Sequence, residues 1–172
     1  IICNPIGYEQ VHAYRSLRHL AERLANEHVP VLTFDYHGTG DSPGSDLDPN
    51  RLSTWQQNIQ DAITWMRNEL GCQSVTLIGF RFGATLATLV AHQHSVDHLV
   101  LWAPMISGRQ YSRELKALSS TAGATLIPKA DDPEQLESAG FIVTGQTFRD
   151  ISKIDLLATR PECKSALILA RD

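Results

Sequence analysis

Residues 79–83 read Gly-Phe-Arg-Phe-Gly, and Arg81 stands where the Gly-x-Ser-x-Gly frame of acyl-transfer chemistry would hold a serine nucleophile. The exchange removes that chemistry. A guanidinium stays protonated at any relevant pH, offers donors only and has no lone pair with which to attack a carbonyl. What it can do is pair with an anion or polarise a carbonyl oxygen. At the start of a helix the dipole opposes a cation, and the strained backbone of such a turn adds roughly 1–3 kcal/mol. A retained Arg81 therefore implies a paired anion, either a carboxylate of the protein or a ligand; in a decayed site it would point to solvent.

Other side chains capable of chemistry are less specific. His92, His94 and His98 form a His-Gln-His-Ser-Val-Asp-His run, expected at the end of a helix, where imidazoles favour the dipole and the surface; no metal site is expected. His37 falls in a loop and reads as a turn residue near the site. Asp35 and Asp41 read as holders of that turn through side-chain to backbone bonds. Glu9 either faces the pocket and pairs with Arg81 or caps the helix that follows. Cys3, Cys72 and Cys163 are odd in number and far apart, without zinc spacing, which points to reduced thiols and a cytoplasmic setting.

These residues need elements to hold them. Continuous apolar runs at 1–3, 31–34, 75–78, 99–102 and 166–170 read as buried strands. Between them, Tyr14, Leu17, Leu20, Ala21, Leu24 and Ala25 make one amphipathic helix, and Leu52, Trp55, Ile59, Ile63, Met66 and Leu70 a second, stopped by Gly71. Residues 83–91 are apolar nearly all round, so that helix is buried. Alternation of this kind predicts an α/β fold with a mostly parallel sheet covered on both faces. From about 107 to 162 the rhythm breaks, and 119–139 shows no period. This region reads as a cap or insertion on a single domain spanning 1–172.

The 172 residues with 42% hydrophobic and 20% charged side chains suit one globular domain. A net charge of -4 with scattered Lys and Arg argues against nucleic acid, and no run approaches the ~20 apolar residues of a membrane span. The chain begins without methionine, mid-strand in character, and is expected to be a piece of a longer protein cut at both ends, so a leader would lie outside it.

Three segments fall at strand ends, where parallel sheets build their sites: Asn-Pro-Ile-Gly-Tyr-Glu-Gln at 4–10, Asp-Tyr-His-Gly-Thr-Gly-Asp-Ser at 35–42 and the Arg81 turn. In order and spacing they resemble the α/β-hydrolase superfamily, over nearly the whole chain. The relatives suggested are serine aminopeptidases and esterases. The Gly-Phe-Arg-Phe-Gly-Ala stretch looks most like the exosortase A system-associated hydrolases, bacterial proteins that include a Gly-x-Arg-x-Gly elbow. The resemblance makes 79–83 a nucleophile elbow, with Gly79 and Gly83 required by close packing. It implies an oxyanion hole from the Phe82 N–H at the helix start and a second donor, the Ile6 N–H, in the Pro5-Ile6-Gly7 turn. It also places Asp172 near the acid of the triad and the matching histidine beyond it.

The resemblance implies a hydrolase of an ester, thioester or amide, needing no cofactor. The chemistry of Arg81 suggests instead a protein without catalysis that captures an anionic ligand, a carboxylate or phosphate. As partner of Arg81, Asp172 is the first choice, then Glu9 or a ligand. The architecture gives the first test: the five strands should lie parallel in one sheet, with 1–3 beside 75–78, and an antiparallel arrangement or two separate sheets would remove the site with the fold.

Overall fold

The computed structural model describes residues 1–121, 132–138 and 140–170. Four strands form one parallel sheet in the order β1 (Ile2–Cys3), β2 (Thr76–Phe80), β3 (Val96–Trp102) and β6 (Cys163–Leu169). Ile2 pairs with Ile78, Leu77 with Leu99, and Leu99 with Ala166. β6 joins the sheet as an edge strand, but it is not buried as expected: Leu167, Ile168 and Leu169 are exposed. The strand at 31–34 is a second correction. It touches the sheet through a single parallel bridge, Thr33 to Ile2, with the Ile2 N–H donating to Leu32 O at 2.9 Å. Its neighbour β1 is only two residues long, Pro30 has no N–H to give, and Thr33 is exposed, so nothing extends the ladder.

Helices α1 (Tyr8–Asn26), α2 (Arg51–Asn68) and α3 (Phe82–Gln93) alternate with the strands. On α1 the buried residues are Ala13 and Leu17, flanked by partly buried Leu20 and Ala21; Tyr14, expected inside, is 60% exposed. In α2 the apolar stripe is as read: Trp55, Ile59, Ile63 and Met66 are buried against α3. Leu70 lies past the helix end and is exposed, next to Gly71 at φ 64°. α3 is buried almost all round. Leu86, Ala87, Val90 and Ala91 are inaccessible, each large one contributing about 1.5–3 kcal/mol of burial. Its Thr88 hydroxyl donates to Ala84 O at 2.8 Å, so its polar atom is satisfied.

After β3 the chain leaves the sheet through α4 (Gly108–Thr121), an antiparallel hairpin of β4 (Leu136–Ser138) and β5 (Phe141–Val143), and α5 (Gly145–Ser152). It returns by a 3-10 turn at Leu156–Ala158. Departure and return meet: Ser107 bridges Asp155, the Gly108 N–H donates to Ile154 O at 2.8 Å, and the Leu156 N–H to Ile106 O at 2.9 Å. Most of the aperiodic stretch 119–139 lies outside the described residues.

The histidine run is split between two elements. His92 ends α3 and its Nδ1 lies 2.8 Å from Arg160 O, whereas His98 is on β3 with Nδ1 2.8 Å from Ser165 Oγ. Among the described residues no three metal-ligating side chains converge, and no helix is long and apolar enough to cross a membrane. The three cysteines are free; Cys3 is fully buried beside Tyr36, and burial pushes its thiol up to about 12.

Asp97, at the start of β3, ties the lower edge together. Its Oδ1 lies 2.7 Å from Lys164 Nζ, and Oδ2 accepts the Val75 N–H at 2.9 Å with Arg67 Nη2 at 3.5 Å. Lys164 first, and the Val75 N–H second, hold the carboxyl at about 2, below its ordinary 3.8. A depressed folded value means that stabilisation is complete above the unfolded value and lost as pH falls through the folded one. Urea unfolding should therefore show stability falling between pH 4 and pH 2. Asp97→Asn should lack that part of the fall; an identical profile for both proteins would show that Asp97 contributes nothing.

Candidate functional site

The turn between β2 and α3 is built by close approach. A Cβ on Gly79 would strike the backbone of Ala84, and one on Gly83 would strike the carbonyl oxygens of Cys3 and Asn4. Only glycine lets α3 start directly on the sheet at both points. Between them Arg81 is forced to φ 53° and ψ -120°, a left-handed conformation that non-glycine residues avoid. Its N–H donates to Trp102 O at 2.9 Å, and its carbonyl accepts the Ala84 N–H at 3.0 Å. Thr85 fixes the next loop, donating to Met105 O at 2.9 Å and accepting the Met105 N–H at 3.0 Å.

The Arg81 side chain is 13% exposed and reaches two carboxylates: Nε to Glu9 Oε1 at 2.5 Å and Nη2 to Glu114 Oε2 at 3.0 Å. Burial works against the charge, but Glu9 and then Glu114 outweigh it and raise the guanidinium above its ordinary value. Glu9 is 22% exposed and sits in the first turn of α1, so it also faces the positive end of that helix. Its cap position is taken by Gly7 without a side-chain bond. Glu114, from α4, is 40% exposed. Asp172 lies outside the described residues.

The other residues singled out from the sequence take up distinct places. The Phe82 N–H, at the first position of α3, and the Ile6 N–H have no acceptor among the described residues. Gly7, at φ 59°, turns the chain into α1 under the ring of Phe141. Asp35 holds its turn as expected of its type: Oδ2 accepts the Asp41 N–H at 3.1 Å and Oδ1 the Gln10 amide at 3.1 Å. Asp41 enters that turn through its backbone. His37 is committed to the loop, its Nε2 2.9 Å from Asp48 Oδ2, its N–H on Asn58 and its carbonyl on Trp55 Nε1.

Two cavities flank the ion cluster. The larger, about 870 Å³, is lined by Ile6, Gly7, Trp55, Tyr111, Glu114 and Phe141 among others; the smaller, about 510 Å³, by His12, Phe80, Arg81 and Trp102. Glu9 lines both. Glu114 and Tyr111 were not found in the sequence. Their one signal is the spacing Tyr111, Leu115, Leu118, an apolar stripe at helical period that places Glu114 beside it.

A family model described as serine aminopeptidase, S33, matches residues 10–170. No curated protein matches the sequence. Among solved structures, Est1E from Butyrivibrio proteoclasticus with bound ferulic acid is 18% identical, covering 91% of this chain and 73% of its own with a TM-score of 0.66. A structure reported for LipS and LipT, two metagenome-derived lipolytic enzymes, is 17% identical over 99% of this chain and 82% of that one, with a TM-score of 0.58. An alpha-beta serine hydrolase homologue from Coxiella burnetii is 16% identical over 98% and 73%, at 0.52. At these identities the likeness establishes the α/β-hydrolase fold.

Strain and pairing at Arg81 separate by mutation. Arg81→Ala should cost about 3 kcal/mol, the low end for stranding a buried charge. Arg81→Gly should cost about 1 kcal/mol less, because glycine accepts the positive φ. Glu9→Gln should outweigh Glu114→Gln, whose more exposed pair is worth under about 1 kcal/mol. Urea unfolding measures all four. Equal costs for alanine and glycine would remove the strain, and additive effects of Arg81→Ala and Glu9→Gln would remove the coupling.

Proposed function

The chain belongs to the serine aminopeptidase S33 family of α/β-hydrolases, and from that premise we propose an esterase-type hydrolase of a small ester, thioester or amide whose elbow supplies no nucleophile. The observation that carries the reading is the backbone of Arg81. The elbow keeps φ 53° and ψ -120° although the residue there cannot attack. Such strain persists only where the surroundings impose it and clusters at working sites. In this reading the substrate occupies the larger cavity, and the N–H groups of Ile6 and Phe82 receive its acyl oxygen as charge develops. Water, or a group other than residue 81, attacks.

Arg81 keeps a structural part in that chemistry. With Nε and Nη2 on carboxylates, it holds Glu9 and Glu114 at the boundary of the two cavities. The same pairing counts against the alternative, capture of an anion by a free guanidinium, because two carboxylates already surround the cation. Gly79, Gly83, Asp35 and Asp41 then serve the geometry of the turns, and His37 that of the second loop. We keep Asp172 as the acid-like position. The Gly-x-Arg-x-Gly elbow supports the narrower placement with exosortase-associated hydrolases, and the ferulic acid bound to Est1E is consistent with a small acyl ligand.

A fluorophosphonate probe and a panel of ester, thioester and amide substrates test this directly. Turnover of at least one acyl class should survive the probe, with no serine labelled, and Arg81→Ser alone should gain little. A labelled serine would place the nucleophile elsewhere. Absence of turnover across the panel would sink the hydrolase reading.

A further inference from the structure

The larger cavity contains a polar group that the proposed reaction leaves unused. Tyr111, in the first turns of α4, is 3% exposed and stacks on Phe82 with ring centroids 5.1 Å apart and planes at 21°. It lines the cavity, and its hydroxyl has no hydrogen-bond partner among the described residues. The ring is buried, while the hydroxyl itself opens to the cavity, where a ligand acceptor can reach it. Burial first, and the charge of Glu9 next, push the phenol well above the ordinary tyrosine value, so it remains a protonated donor.

The charge around that donor has one sign. Glu9, Asp35, Asp41, Asp46 and Glu114 line the cavity, and among the described lining residues Arg51 alone is basic. Arg51 is turned to the protein: Nη1 donates to Asp46 O at 3.2 Å and Ile142 O at 3.4 Å, Nη2 to Gly38 O at 3.3 Å, and its guanidinium lies 4.7 Å from the Trp55 ring centre. Arg81 is matched by two carboxylates. The field inside is negative, while Tyr8, Tyr14, Trp55 and Phe141 supply flat apolar area. A free carboxylate entering this space meets repulsion, whereas an ester brings acceptor oxygens without charge.

We propose that the larger cavity selects uncharged aromatic esters over the matching carboxylates, with the Tyr111 hydroxyl donating to an ester oxygen as the specificity-determining contact. The inference rests on the esterase-type reading but concerns binding rather than turnover. In that reaction the acid released carries the charge that the cavity repels, so product departs more readily than substrate.

The test is calorimetric binding of methyl 2-naphthoate and of 2-naphthoate at pH 7 and low salt. The ester should bind at least tenfold more tightly. Tyr111→Phe, which keeps the stacked ring, should lower ester affinity about tenfold and leave acid affinity unchanged. Glu114→Gln, at the more exposed end of the ion cluster, should narrow the ester-over-acid preference several-fold. Equal binding of the two probes, binding of neither, or an unchanged preference in both variants overturns the proposal. If the ester binds with the stated preference yet is never hydrolysed, the esterase reading fails and the selectivity stands.

Discussion

The contact on which the rest of the molecule depends is the approach of α3 to the sheet, backbone against backbone, at Gly79 and Gly83. No side chain fits at either point, so the helix begins directly on the strand ends. The turn between them is held in a conformation that an arginine would not choose. That one constraint fixes the direction in which residue 81 projects and the position of the Phe82 N–H. Through Thr85 it also fixes the start of the loop after β3. The buried helix behind it, inaccessible at Leu86, Ala87, Val90 and Ala91, cannot move to relieve the turn without opening the core.

Charge pairing then connects elements that the sheet does not. Glu9 comes from α1, Arg81 from the elbow and Glu114 from α4, so three separate stretches meet at one guanidinium. The cluster has more negative than positive charge. An isolated cation at the helix start would face an unfavourable dipole; two carboxylates remove that conflict and leave the neighbouring cavity acidic. Arg81 and its two carboxylates thus set the electrostatics on this side of the cavity.

The sequence carried the parallel sheet because its central strands are continuous apolar runs, and the buried helix because nothing polar interrupts residues 83–91 beyond threonines that bond internally. It carried Glu9 as a possible partner of Arg81, since the loop after β1 has few other charges. It failed where burial depends on neighbours. Residues 31–34 have the composition of a strand but only a two-residue ladder to join. Tyr14 has an apolar ring, yet that ring faces a cavity rather than the core. Glu114 and Tyr111 sit in a region where periodicity gave a helix no address, because a helix stripe says which face is buried and not what it is buried against.

The excursion from Gly108 to Ser152 leaves and rejoins the sheet at almost one point, where Ser107 faces Asp155 and two further backbone bonds close the neck. The entropy of closing such a loop grows only slowly with its length. The neck therefore fixes where the excursion begins and ends, and its contacts back to the site are made by side chains such as Tyr111 and Glu114. Descendants of this chain could lengthen, shorten or exchange that module and so redraw one wall of the cavity, Tyr111 and Phe141 included, while the elbow beneath it kept its shape.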